Sequence, residues 1–203
     1  LRLKPKMIRL ILFDLDGTFV DTAFDLVESA NKVYKNNNKL NISYEAGREI
    51  ASDGIKSFLR YRFDEQEDNF NLLSKEFLDI YNQNFLNNPL LFNGIQHLLK
   101  DLASNGVKWG IVTNKARYFA ENIIEHHNLT AKCSVLMCGD DKGFKPKPSP
   151  DLLLEACRLL DMDISDSLYV GDGHRDILSA KSAKIKSVLA CYGYLKKSDL
   201  TTL

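Results

Sequence analysis

The stretch Leu10 to Thr22, LILFDLDGTFVDT, decides how the rest of the chain is read. Leu10 to Phe13 form a short apolar run, the pattern of a strand buried on both faces, and Asp14, Asp16, Gly17 and Thr18 follow at once. Residues two apart in an extended chain point the same way, so Asp14 and Asp16 share one side and Leu15 turns back to the core. Two carboxylates about 4 Å apart repel by roughly 4 kcal/mol near a protein surface. The pair therefore calls for a cation or a shared proton. Gly17 permits a sharp turn with positive φ and brings its N–H close to a ligand. A solvated turn after a strand is the plainer account of these residues, and what lies downstream decides between the two.

The chain has 203 residues, 44% hydrophobic and 27% charged, enough to bury a sizeable core in one domain or in a domain with an insertion. Lys plus Arg and Asp plus Glu are both 27, so no global field attracts nucleic acid or an anionic membrane, and anion binding must be local. Cys133, Cys138, Cys157 and Cys191 form no CxxC pair and read as buried reduced thiols. Asp14 cuts the apolar stretch near the start too short for a signal peptide, and no run reaches transmembrane length. The expectation is a soluble cytoplasmic protein whose native start is Met7.

From Thr22 to Phe92 strand patterns vanish and helical periods replace them. Ala23, Leu26, Val27, Ala30 and Val33 form one apolar face, and Phe70, Leu73, Phe77, Ile80 and Tyr81 another. Asn36 to Asn41 is a loop, and Ala51 to Lys56 a turn whose Gly54 precedes a short helix. Residues 22–89 are thus expected to form a helical insert, with 1–21 and 90–203 making the main domain.

After Phe92 helices and strands alternate. A helix through Ile95, Leu98, Leu99 and Leu102 stops at Asn105 and Gly106, and strands are expected at Val107 to Val112, Ser134 to Met137, Ser167 to Val170 and Ser187 to Ala190. Helices are expected at Arg117 to His126, from Ser149 and Pro150 as N-cap and first residue, and at Asp176 to Ala183. Such alternation implies right-handed crossovers and an α/β fold with a doubly wound parallel sheet.

Four polar clusters fall just past strand ends: Asp14 with Asp16, Thr113 with Asn114, Lys145 in GFKPKP, and Asp172 with Asp176 in GDGHRD. Open α/β sheets bind ligands outside their strand carboxyl ends, so the four form one site. The chemistry it suits is phosphoryl transfer. Asp14 and Asp172, with a backbone carbonyl at Asp16, offer hard oxygens to Mg²⁺. Thr113 and the Asn114 N–H would hold phosphate oxygens, beside the N–H of Gly17, and Lys145 would neutralise phosphate and carboxylates alike. Asp14 would attack phosphorus, and Asp16 would protonate the leaving alkoxide and then deprotonate water.

FDLDGT, VTN, KPxP and GDGHRD, in this order and spacing, resemble the four motifs of the haloacid dehalogenase superfamily. The resemblance covers nearly the whole chain and implies that the insert is that family's cap domain. Within the superfamily the sequence is similar to phosphoglycolate phosphatases, and through VKWGIVTNK, RYFAENI and YGYL also to bacterial phosphatases of N-acetylmuramic acid 6-phosphate. Dehalogenases proper lack the second motif aspartate, so Asp16 argues for a phosphatase.

The resemblance favours Lys145 over Lys147 as the site lysine and gives Lys56 in the cap loop a part in binding the far end of the substrate. Asp176 either ligates the metal through water or orients Lys145, and the second part is the one expected. Lys56 reads equally as a surface lysine opening a helix. Phe19 replaces the usual leucine of the first motif. The family fold runs past YGY with a further strand and helix, so the end at Leu203 implies a missing piece or a trimmed sheet edge.

His174 reads as an exposed loop residue, His97 as part of a solvated face, and His126 and His127 as neighbours pointing apart. The partner expected is a small phosphorylated metabolite, 2-phosphoglycolate first, for a monomer or homodimer. A phosphoacceptor receiver module, also doubly wound, is the rival of another class; it lacks an acid two residues past the aspartate and a 70-residue insert. A phosphosugar mutase on the same fold would yield an isomeric phosphosugar instead of inorganic phosphate.

Overall fold

The computed structural model describes residues 7–66 and 69–195. The expectations about the first six residues and the chain end after Leu195 lie outside them. No helix among the described residues is long and apolar enough to cross a membrane.

Strand β1 (Leu10–Phe13) lies at the centre of a five-stranded sheet with β4 (Lys108–Val112), β5 (Leu136–Met137), β6 (Ser167–Gly171) and β7 (Lys186–Leu189). The order is β5-β4-β1-β6-β7, and every neighbouring pair is parallel. Leu12 stands between Gly110 and Tyr169, so β1 has no free edge. This is why its apolar run is continuous.

The period of two in β1 divides the core into two layers. Leu10 and Leu12 face α7 (Asp151–Leu159) and α8 (His174–Ala183), meeting Leu152, Leu153, Ala156 and Ala180. Phe13 faces the layer of α5 (Ile95–Ser104) and α6 (Arg117–His126), with Leu99, Ile111 and Ile123. Helices thus cover both faces, and the chain leaves β1 outward through β4 and β5 on one side and through β6 and β7 on the other. The crevice at this reversal is where α/β sheets place their ligands.

Between β2 (Val20–Asp21) and β3 (Leu90–Leu91), which pair antiparallel, lies the helical insert. It holds α1 (Ala23–Asn36), α2 (Tyr44–Ile50), α3 (Ile55–Arg60) and α4 (Phe70–Asn84), with a 3₁₀ turn at Ala51–Asp53. The apolar faces read from the sequence are buried, apart from half-buried Ile80. Helix α2 escaped the sequence reading because YEAGREI presents almost no apolar stripe. Its one buried residue is Gly47, which approaches so closely that a Cβ there would sit 2.4 Å from Val27.

The insert shares its core with the sheet's α5–α6 layer. Phe77, Tyr81, Phe85 and Phe119 form a continuous chain of rings from α4 to α6, with centroids 5.0–6.5 Å apart. Helix α7 begins one residue later than expected: Pro150 takes the cap position, and the Ser149 hydroxyl donates to Asp151 at 2.6 Å.

Candidate active site

The carboxyl ends of β1, β4 and β6 and the loop after β5 open into a cavity of about 710 Å³ under the insert. Asp14, Thr113, Lys147 and Asp172 line it from below, and Ser52 and Lys56 from the insert.

The expectation for Lys145 is corrected here. Its side chain is exposed, and its backbone N–H donates to Asp151. The buried lysine is Lys147, two residues on in GFKPKP. Its ammonium lies 2.8 Å from Asp14 Oδ1 and 2.6 Å from Asp176 Oδ1, and also donates to the Tyr169 hydroxyl and the Val112 carbonyl. Two lysines at i and i+2 share a side of an extended segment, so periodicity does not separate them.

Asn114 explains the choice of register. Its side chain donates to the Lys147 carbonyl at 2.9 Å and accepts from the Lys147 N–H at 2.8 Å, clamping that one residue against the end of β4. Its side chain therefore holds the loop, beside the phosphate-binding part expected of its backbone. Thr113 is buried, and its hydroxyl accepts from the Lys115 N–H at 3.1 Å.

Asp14 and Asp16 follow β1 but have different partners. Asp14 meets Lys147, whereas Asp16 is held by Lys115, 3.1 Å from both of its oxygens, and by the Thr22 hydroxyl. The repulsion read from the sequence is thus relieved by two buried ammonium groups. Lys115 was missed although it stands in VTNK, because nothing local marks it as buried.

Asp172 is fully enclosed. One oxygen accepts from Thr18 at 3.1 Å, and the other from the Tyr194 N–H at 2.8 Å and Ser52 at 3.0 Å. Gly17 has φ +84°, and a Cβ there would lie 2.3 Å from that second oxygen, so only glycine fits the turn. Asp176 accepts from Lys147, from the Tyr169 hydroxyl and from the Gly173 N–H. It thus holds Lys147, where contact with Lys145 was expected.

Tyr194, from the late YGYL, ties the insert to this floor. Its hydroxyl accepts from the N–H groups of Thr22 and Ala23 at the start of α1 and donates to Asp21. Lys56 is exposed at the cavity wall, and His174 is exposed at the start of α8. The rings of His126 and His127 meet edge to face, 5.1 Å between centroids, closer than neighbours pointing apart. Cys138 and Cys157 are buried and Cys133 partly so, but Cys191 is exposed, against the expectation of four buried thiols.

Carboxylate oxygens of Asp14, Asp172 and Asp176 all lie within 4.8 Å of one another. Burial, Asp176 and Asp172 push Asp14 up to about 7 in spite of Lys147. Burial, with Asp176 adding to it, pushes Asp172 up to about 6 against its hydrogen bond from Tyr194. Burial works against the charge on Lys147, but Asp14 and Asp176 more than offset it and hold the group above its ordinary value. Three clustered carboxylates against one ammonium leave an excess of negative charge that a hard cation would relieve, and an all-oxygen donor set suits Mg²⁺.

Residues 11–190 match the family model for haloacid dehalogenase-like hydrolases. An N-acetylmuramic acid 6-phosphate phosphatase of Pseudomonas putida is 34% identical over 195 residues, 95% of this chain and 86% of that protein. A phosphoglycolate phosphatase of Xanthomonas campestris pv. campestris is 35% identical over 192 residues, 94% of this chain and 86% of its own length. The crystal structure of a predicted phosphoglycolate phosphatase of Haemophilus somnus superposes with a TM-score of 0.83 at 27% identity, covering 93% of this chain and 88% of that one. With the motif residues gathered at the strand ends and the match running through them all, the chain belongs to the haloacid dehalogenase-like hydrolase family.

Proposed function

We propose that this hydrolase cleaves the phosphate monoester of a small metabolite through an aspartyl-phosphate, with residues 22–89 acting as its cap. The carrying observation is the pair of aspartates after β1, each on its own buried ammonium at the floor of one cavity. Asp14 attacks phosphorus as the bond to the leaving oxygen breaks, and Asp16 gives that oxygen a proton. Water then attacks the acyl phosphate, Asp16 takes its proton, and inorganic phosphate leaves with Asp14 restored. Thr113 and the Asn114 and Gly17 N–H groups bind phosphate oxygens, and Lys147 offsets charge on Asp14 and the phosphoryl group. Asp14 and Asp172, with the Asp16 carbonyl, would hold Mg²⁺, which supplies positive charge to the same oxygens.

The expected substrate is 2-phosphoglycolate. A second reading, N-acetylmuramic acid 6-phosphate, is favoured by a cavity of about 710 Å³, of which a two-carbon acid phosphate fills only a small part. Phosphate release in Mg²⁺ from the two compounds side by side, with Asp14→Asn as blank, tests both levels. A hundredfold preference in kcat/KM, some 2.7 kcal/mol of transition-state binding, names the substrate. Asp14→Asn is nearly isosteric and is expected to stay folded and lose turnover on every substrate. Retained turnover would remove Asp14 as nucleophile.

A further inference from the structure

The ammonium of Lys115 joins the Asp16 carboxylate to helix α4 of the insert. Its side chain is buried, and its donors reach Asp16 Oδ1 and Oδ2 at 3.1 Å each and the Tyr81 hydroxyl at 2.8 Å. Tyr81 lies on α4, while Asp16 and Lys115 follow β1 and β4. The ammonium also stands over the Tyr81 ring at 4.9 Å and the Phe119 ring at 5.9 Å, which fixes the lysine stem between the insert and α6. A three-donor group with all its bonds spent in this way cannot follow a displaced α4 without loosening its hold on Asp16.

We propose that Lys115 is a positioning residue that makes the placement of the Asp16 carboxylate depend on the docking of α4 through Tyr81. The inference rests on the acid–base part given above to Asp16. Two neighbouring ties close the same gap: Arg175 donates to the Ser52 carbonyl and to Asp53, and Arg48 donates to the Tyr192 carbonyl. Neither touches Asp16; Thr22, the first residue of the insert, donates to Asp16 directly, and the link from α4 to Asp16 runs through Lys115.

The test compares an alkyl phosphate, whose leaving oxygen needs a proton, with p-nitrophenyl phosphate, whose leaving group needs little help. Lys115→Met keeps an unbranched stem on the two rings, and Tyr81→Phe removes one oxygen. Lys115→Met should lower kcat on the alkyl substrate by thirtyfold or more with KM changed less than threefold, and cost the aryl substrate much less. Tyr81→Phe should show the same selectivity at five- to tenfold, with its melting temperature close to that of the parent. Equal losses on both substrates, or a loss confined to Lys115→Met with Tyr81→Phe unaffected, would overturn the coupling. Asp16→Asn is run beside them: if it shows the selective loss and Lys115→Met does not, this inference fails and the acid–base reading stands. If Asp16→Asn itself is fully active, that reading fails first.

Discussion

Lys147 shows how much a single side chain decides at this site. It lies between Asp14 and Asp176, and all three side chains are largely removed from water. Removing one member of a buried charged cluster leaves the others uncompensated, at a cost of about 3–5 kcal/mol. Lys147→Ala is therefore expected to abolish turnover and to lower the melting temperature markedly. Lys145→Ala, two residues earlier and exposed, should leave kcat within about twofold. Parallel phosphate-release assays and thermal melts on the two variants check this, and the reverse ranking would restore the lysine that the family pattern favoured. The pattern KPxP identified the loop, but the choice within it was made by Asn114, whose side chain meets the backbone of Lys147 alone.

At the scale of elements, the turn at Ala51–Asp53 and the start of α3 carry the insert's reach into the cavity. Gly54 has φ +75°, a conformation that favours glycine, and caps α3, which starts with Ile55 and Lys56. Ser52 from this turn touches Asp172, while Lys56 stands exposed at the wall. A cation on the cavity wall would contribute to binding what lies beyond the phosphate. Lys56→Ala is expected to raise KM for the natural substrate severalfold, with p-nitrophenyl phosphate turnover nearly intact. Equal loss on both would assign Lys56 to the folding of α3 instead. The turn itself was legible from ASDGIK, whereas its contact with Asp172 was not, because Ser52 and Asp172 are 120 residues apart.

For the molecule as a whole, the crowded carboxylates link protons, metal and stability. Asp14 is raised from 3.8 to about 7 and Asp172 from 3.8 to about 6. Between about pH 4 and pH 7 the metal-free folded protein therefore binds more protons than the unfolded chain, and its stability falls as pH rises through that window. Mg²⁺ held by these groups would need them ionised, so its binding would release protons and its stabilising effect would grow with pH. Melts in EDTA should give a lower melting temperature at pH 7.5 than at pH 5.5, and added Mg²⁺ should raise it more at pH 7.5. An equal Mg²⁺ shift at both pH values would show that these carboxylates do not hold the ion.

The sequence by itself determined the sheet and the motif aspartates. Leu10–Phe13 is a strand with the expected bounds, Arg117–His126 a helix with the expected bounds, and a cavity opens past β1, β4 and β6, lined by residues of the polar clusters. Local periodicity and turn chemistry carry that information, since each strand's burial is written into its own side chains. Only the tertiary structure decided which lysine of GFKPKP is buried and which cation answers each aspartate. It alone showed how Tyr194, Ser52 and Tyr81 bind the insert to the cavity floor. Those contacts join residues from 34 to 172 positions apart. The burial that gives them their strength arises only when the two helix layers and the insert close over one crevice.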